Sequence, residues 1–459
     1  MINFGRVHFI GVGGISMSGI AEILLEKGYS VTGSDLNDSH LLDTLREKGA
    51  EINIGHDEKN VKGADMVVIS SAIPETNPEL FYSRKNKIPV YKRAEMIAEL
   101  MKDQKGIAIS GTHGKTTTTS MAATILLEGG QDPTVLVGGE LDIINGNYYL
   151  GKGDYLVTEA DESDGSFLYY QAEVVVVTNV ELDHQDYYDS EEKLFNYFRE
   201  FLDKTPETGR SIVCAEDETL MKLVDTGDKR VVTYGIEKGD IQARDCKSYP
   251  FGSIYQLYID SKWIGEVNLQ IPGRHNILNS LAAIAVADHT DMTREQIING
   301  IEKYAGVHRR FEKKGLLGDI LIIDDYAHHP TEVEATLQVA KNTGYERVLA
   351  VFQPHRYTRT KHLMDAFDES FKMADHLIVT DIYSAGEKEI PGVNAEVLAR
   401  TIARNSDFPV DYIAELDDVV KYLARIIRSR DLVITIGAGD VYRVGEMLVD
   451  TIRKSREMA

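Results

Sequence analysis

Seven consecutive residues, Gly111-Thr112-His113-Gly114-Lys115-Thr116-Thr117, restrict the fold more than any other stretch of the chain. The apolar run Gly106-Ile107-Ala108-Ile109-Ser110 leads into them and predicts a strand. A helix is expected behind them, over Thr118 to Glu128, with Met121, Ile125 and Leu126 apolar at helical spacing. A strand, a glycine-rich turn and a helix form a cradle for phosphate. Backbone N–H groups and the helix N-terminus face the anion, Lys115 brings a mobile positive charge, and a threonine hydroxyl can reach Mg²⁺. The match to G-x-x-x-x-G-K-[ST] is incomplete, since Ile109 stands where the first glycine would fall and Gly111 comes two residues later. An ordinary glycine-rich turn has no need of lysine and threonine side by side between a strand and a helix. The stretch Gly111 to Thr117 is therefore read as a short P-loop variant that binds a nucleoside triphosphate.

Around this motif, short apolar runs alternate with helical patterns along almost the whole chain, which predicts α/β layers with largely parallel sheets. Strands are expected at Val7–Ile10, Ser30–Asp35, Val67–Ser70, Tyr155–Thr158, Val174–Val177, Ile320–Ile323, Val348–Phe352, Leu377–Thr380 and Leu432–Ile436. A length of 459 residues suits about three domains of roughly 150 residues each. Boundaries are expected near Lys102 to Gly106 and near Gly306 to Phe311. A net charge of −23 disfavours nucleic acid and anionic membrane, because the overall field repels them, and still permits a local basic pocket for a nucleotide. Cys214 and Cys246 show no metal-site or redox spacing and are expected to be buried, reduced thiols in a cytoplasmic protein. No signal peptide and no membrane-length apolar run is expected.

Several strand ends carry polar clusters, where open α/β sheets bind ligands. The turn Gly11-Val12-Gly13-Gly14-Ile15-Ser16 approximates a dinucleotide fingerprint, with Asp35 near the position of a ribose-binding acid. Ser16 replaces its third glycine, so a pyrophosphate or nucleotide role stands beside a plain tight turn. Glu159-Ala160-Asp161-Glu162-Ser163-Asp164 follows a buried strand and offers hard oxygen ligands suited to Mg²⁺. Thr178-Asn179-Val180-Glu181-Leu182-Asp183-His184 ends the next strand, with His184 a candidate for the same site. Asn276 and Asn279 open an Ala-rich helix, where asparagine also serves as a cap. Tyr326-Ala327-His328-His329 and His355-Arg356-Tyr357-Thr358-Arg359 end two strands read as neighbours. Arginine pairs grip carboxylates bidentately, which favours substrate capture there over a histidine-bound metal.

Taken together, these segments resemble the Mur ligase family, which builds the peptide stem of bacterial peptidoglycan. The resemblance rests on Gly11 to Ser18, Gly111 to Thr117, Glu159 to Asp164, Asp324 to Pro330 and Gln353 to Arg359, in the family's order over nearly the full length. It implies an α/β protein of three domains: an N-terminal Rossmann-like domain for a UDP-sugar (1–103), a central P-loop ATPase-like parallel sheet (104–307), and a C-terminal Rossmann-like domain for an amino acid (308–459). It implies ATP and Mg²⁺ as cofactors and UDP-N-acetylmuramate and L-alanine as substrates, joined through an acyl phosphate. Lys115, His184 and Arg356 would be catalytic. Gly111, Thr112, His113, Gly114, Lys115, Thr116, Thr117, Asn276 and Asn279 would hold ATP. Thr116, Glu159 and His184 would hold the metal. Gly13, Gly14, Ser16, Ser71 and Arg93 would face the UDP-sugar, and His275, Tyr326, His328, Arg356 and Arg359 the amino acid. A monomer or weak homodimer is expected.

Four other readings compete. A recycling ligase that attaches a ready-made tripeptide to the same sugar shares nearly all these motifs. A folate-type ligase would have no use for the opening glycine-rich turn. A nicotinamide-dependent oxidoreductase would leave the P-loop and the Glu159 cluster unexplained. A non-catalytic nucleotide switch would bind nucleotide without substrate-dependent phosphate release.

Overall fold

Apolar strands too short to be helices, each followed by a helical segment, build three mostly parallel sheets in the computed structural model, which describes residues 5–183 and 187–457. The first sheet contains β1 (Arg6–Ile10), β2 (Ser30–Asp35), β3 (Glu51–Ile54), β4 (Met66–Ile69) and β5 (Val90–Lys92). Its order is β3-β2-β1-β4-β5, with every pair parallel. The chain leaves β1 on one side and returns on the other, so a crevice opens beyond the end of β1, where Gly11 to Gly14 lie. The following helix, Ile15–Glu26, is buried along Met17 to Leu24. A Cβ at Gly19 would stand 3.0 Å from Asn147 and 3.2 Å from Leu136, so glycine lets this helix pack closely on the second sheet.

That second sheet comprises β6 (Lys105–Ser110), β7 (Thr134–Leu141), β8 (Gly146–Tyr149), β9 (Tyr155–Glu159), β10 (Val174–Val177), β11 (Arg210–Cys214), β12 (Val231–Ile236), β13 (Ile241–Tyr249), β14 (Gly252–Ile259) and β15 (Lys262–Leu269). The order is β15-β14-β13-β12-β11-β10-β6-β9-β7-β8. Here β6 sits between β9 and β10, parallel to both, so the strand that leads into Gly111 is central and its neighbours end beside it. The four-valine strand β10 is buried throughout, as a parallel strand covered on both faces must be.

The third sheet comprises β16 (Glu312–Leu317), β17 (Ile320–Asp325), β18 (Arg347–Phe352), β19 (His376–Val379), β20 (Val410–Tyr412) and β21 (Asp431–Ile436), in the order β16-β17-β21-β18-β19-β20. Only β16 runs antiparallel to its neighbour. Alternate residues feed two cores. Leu321, Ile323, Ala350 and Phe352 face one layer, Ile322, Leu349 and Val351 the other.

Contacts divide the chain into two units. One runs to Cys246 and takes in Ile254–Leu269 and Asn276–Ala305; the other comprises Lys247–Ser253, Gln270–His275 and Gly306 onward. The expected strands appear within a residue or two of their predicted ends, whereas β3, β5, β7, β8, β11 to β16 and β20 were not foreseen. The helix after Gly114 begins at Lys115, three residues before the expected start. Two expectations need correction. Cys214 is buried but Cys246 is exposed, because β13 is exposed along its second half. The strands carrying Tyr326 and His355 are not neighbours, since β21 lies between β17 and β18.

Beneath the first glycine-rich turn lies a buried polar knot. The Glu79 carboxylate accepts from Ser34 Oγ (2.5 Å), Asn60 Nδ2 (2.7 Å) and the Asp57 N–H (3.1 Å), and lies 3.4 Å from His8 Nε2. Ser34 in turn uses its backbone carbonyl to accept the N–H groups of Gly11 (2.8 Å) and Val12 (3.1 Å). Burial pushes the Glu79 pKa up, but the hydrogen bonds from His8, Ser34 and Asn60 outweigh it and hold the group below its ordinary value. Its contribution to stability is therefore present at neutral pH and lost as acid protonates it. Glu79→Ala is expected to cost about 3 kcal/mol or more, by leaving buried His8 and Ser34 without their acceptor. Urea unfolding at pH 7 measures this; a cost under about 1 kcal/mol would show the knot to be incidental.

Candidate active site

Within the first unit, the turn after β6 is sewn to the extension of β10. The N–H of Thr112 donates to the Asn179 carbonyl (3.1 Å), and the N–H of His113 to Asn179 Oδ1 (2.8 Å). Thr178 Oγ1 and Asn179 Nδ2 donate to the His113 carbonyl at 2.5 and 2.9 Å. Thr112 Oγ1 accepts the Glu181 N–H (2.9 Å), and His113 Nε2 lies 3.0 Å from Glu181 Oε2. Two glycines make this possible. Gly111 has φ +127° and no room for a Cβ, which would stand 2.1 Å from Thr178 Oγ1. Gly114 caps the helix in the left-handed region (φ 84°), with Asn279 Oδ1 2.6 Å from where its Cβ would be.

Lys115 begins the helix Lys115–Glu128 and turns back over the loop. Its ammonium donates to the Gly111 carbonyl (2.5 Å), the Thr112 carbonyl (3.1 Å) and Glu162 Oε1 (2.8 Å). Burial opposes the charge, but Glu162, Asp161 and Glu159 more than compensate, so its pKa is raised and it is an ammonium at neutral pH. Glu159 ends β9 in register with Ile109 of β6, and its Oε1 accepts the Gly138 N–H (2.6 Å). Arg93 bridges toward the first glycine-rich turn: its Nη1 lies 3.3 Å from Ser16 Oγ and its Nη2 3.7 Å from Asp161. Asp35 accepts the Gly13 N–H (2.8 Å), so this carboxylate shapes the turn.

The second unit gathers imidazoles, arginines and aromatic rings at the ends of β17 and β18. The Tyr326 and His328 rings are 5.5 Å apart, His328 and His355 5.9 Å, and His355 stacks on Tyr383 at 5.7 Å. Arg359 Nη1 lies 3.2 Å from His355 Nδ1. Glycine after β21 allows a close approach here: a Cβ at Gly439 would stand 2.3 Å from Gln353 Oε1. Burial lowers His328 to about 4; for His355, burial and the adjacent cationic groups lower it to about 3. Both rings are neutral at pH 7. Arg309 donates to Asp324 (3.2 Å) and to the Gly437 carbonyl (2.7 Å), and lies over the Tyr326 and Tyr442 rings. Burial raises Asp325 to about 6, against the opposing charge of Arg310.

Three family descriptions match in succession: "Mur ligase family, catalytic domain" over residues 6–105, "Mur ligase middle domain" over 109–287, and "Mur ligase, glutamate ligase domain" over 309–439. A UDP-N-acetylmuramate–L-alanine ligase of Geotalea daltonii is 47% identical, covering 98% of both chains. One of Clostridium acetobutylicum is 46% identical, covering 97% of both. The chain belongs to the Mur ligase family. A crystal structure of a UDP-N-acetylmuramate–alanine ligase from Thermotoga maritima is similar at TM-score 0.83 and 29% identity, covering 98% of this chain and 99% of that one. A murein peptide ligase from Psychrobacter arcticus shares the fold at TM-score 0.71 and 24% identity, covering 97% of this chain and 98% of that one. The three-domain α/β architecture follows, and the oxidoreductase reading is not favoured.

In this Mur ligase the structure brings some expected residues together and leaves others apart. Ser16 and Arg93 meet, and Gly114 abuts Asn279. Tyr326, His328 and Arg359 share one cluster. Ser71 and His275 are exposed, as is Arg356, which holds φ 68° while its N–H donates to the Tyr383 carbonyl (2.8 Å). His184 lies outside the described residues. Arg309 and Arg310 lie in the expected boundary near Gly306 to Phe311 and were not among the expected site residues. Two consecutive arginines just before a strand were the available signal.

Gly111→Ala is expected to destabilise the protein by more than about 3 kcal/mol, combining a left-handed backbone with a clash. Denaturant unfolding tests it, and a near-neutral change would contradict the geometry. The histidines predict a pH effect. As pH falls from 6.5 toward 4, the unfolded chain takes up protons at His328 and His355 that the folded protein refuses, so these positions lose stability. Asp325 acts oppositely, because its folded pKa is raised. His355→Gln should therefore gain on wild type as pH falls through this range. A constant difference between the two melting curves would argue against a neutral buried imidazole.

Proposed function

We propose that this chain is an ATP-dependent ligase that joins L-alanine to the lactyl carboxylate of UDP-N-acetylmuramate, a cytoplasmic step in peptidoglycan precursor synthesis. The observation that carries this is the Lys115 P-loop within a chain that matches ligases of this name end to end. A carboxylate is a poor electrophile, and attack of its oxygen on the terminal phosphorus of ATP, with ADP leaving, makes it an acyl phosphate. The alanine amine then attacks the carbonyl carbon, and the tetrahedral intermediate expels phosphate. Such chemistry asks the protein mainly for positioning and charge neutralisation.

The roles of individual residues are our reading. Residues 1–103 take the UDP-sugar, with the Gly13 and Gly14 turn, Ser16, Ser71 and Arg93 facing it. Residues 104–307 take ATP, with Gly111 to Thr117 around the phosphates and Asn276 and Asn279 toward the adenine. Residues 308–459 take the amino acid, through Tyr326, His328, Arg356 and Arg359, and His275 from the end of the central segment joins them. Two neutral imidazoles beside an arginine suit a zwitterion: the guanidinium meets its carboxylate, and uncharged rings do not repel its ammonium. The Thr116 hydroxyl and the Glu159 carboxylate are hard oxygen donors that fit Mg²⁺, with His184 completing the set. When bound, that ion would neutralise phosphate charge. Among the described residues no helix is long and apolar enough to cross a membrane. We expect a monomer or weak homodimer.

Phosphate release from ATP with UDP-N-acetylmuramate, compared across L-alanine, glycine, L-serine and L-Ala-γ-D-Glu-meso-diaminopimelate, tests the reading. Release should be strongest with L-alanine, and release only with the tripeptide would move the chain to cell-wall recycling. Lys115→Ala should abolish turnover while leaving the fold intact. Arg356→Ala and Arg359→Ala should raise the KM for the amino acid far more than that for ATP; equal effects on both would remove the carboxylate clamp.

A further inference from the structure

The Lys115 ammonium is engaged by acceptors of the protein itself. An ammonium has three protons, and three acceptors take them: the carbonyls of Gly111 and Thr112 and the carboxylate of Glu162. The Glu162 side chain is 2% exposed. Nor is Glu162 free to follow the lysine. Its backbone carbonyl accepts the buried Tyr188 hydroxyl (2.5 Å) and the Gly165 N–H (2.9 Å). Gly165 itself has φ 69° and would clash with Tyr197 if it carried a Cβ, which fixes the turn that presents Glu162.

We infer that Glu162 is a positioning residue that holds Lys115 against the Gly111–Thr117 loop and competes with the terminal phosphate of the nucleotide for it. The inference rests on the reading of Gly111 to Thr117 as a nucleoside triphosphate site. A phosphate entering the cradle must draw the ammonium away from a buried carboxylate whose backbone is anchored. That carboxylate then remains beside the polyanion and repels it. Both effects weaken ground-state binding, and both favour departure of the phosphate-bearing products. Glu162 thus keeps nucleotide affinity low enough for turnover, a task distinct from that of Lys115.

Calorimetric titration of the full-length chain with Mg²⁺ and either AMP-PNP or ADP tests this. Glu162→Gln keeps the shape and removes the charge, so it should bind AMP-PNP about tenfold tighter, with a smaller gain for ADP, which lacks the terminal phosphate. In steady state its KM for ATP and its kcat should fall together, as expected when product release slows. Equal or weaker binding of AMP-PNP, or equal loss for both nucleotides, would overturn the inference and leave Glu162 as a structural partner. If Glu162→Gln does not fold, Glu162→Asp carries the test. It retains the charge at shorter reach and should tighten AMP-PNP two- to threefold, whereas no change or weaker binding would overturn the inference. A wild-type chain that bound neither nucleotide would overturn the nucleotide reading itself, a result distinguishable from unaltered binding in the variants.

Discussion

A lysine ammonium held at the mouth of a buried parallel strand is the constraint around which the first unit is arranged. Lys115 can sit there only because Gly111 and Gly114 let the loop turn its carbonyls inward and because Glu162 offers a fixed negative charge. Each requirement recruits further residues. The loop needs Thr178 and Asn179 to hold its backbone, and Glu162 needs Tyr188 and Gly165 to hold its own. The central position of β6 between β9 and β10 brings these supports to one place, since parallel neighbours end side by side.

The second unit solves the opposite electrostatic problem. Here the groups at the strand ends are kept uncharged or counterbalanced. Burial, assisted by nearby guanidinium groups, makes His328 and His355 neutral well below physiological pH. Arg309 is pinned by Asp324 and by two aromatic rings, so its charge belongs to the scaffold. A site of this kind can receive an ammonium and a carboxylate together without a strong net field of its own. The strands that bear Tyr326 and His355 are separated by β21, and the glycines after β21 matter because a Cβ at Gly437 or Gly439 would collide with Gln353.

How much of this was readable in the sequence follows the range of the forces involved. Strands such as Val174–Val177 and the helix behind Gly114 were legible because hydrophobic period and glycine placement are local signals. The Gly-Lys-Thr turn was legible for the same reason. The strands β13 to β15 were not, because they are only partly buried and carry no continuous apolar run to mark them. Arg309 was not legible as a site residue, since nothing in its neighbours announces that Asp324 and the rings of Tyr326 and Tyr442 will surround it.

The sequence by itself determined the layered α/β class, the Gly-Lys-Thr turn between strand and helix, and the family, because each depends on short segments in a given order. Tertiary structure alone decided the ionisation of the histidines, the separation of β17 from β18, and the partner of Lys115. These depend on burial and on residues far apart in the chain. Lys115 and Glu162 lie 47 positions from each other, and only the pairing of β6 with β9 brings a lysine and a carboxylate of that separation to 2.8 Å.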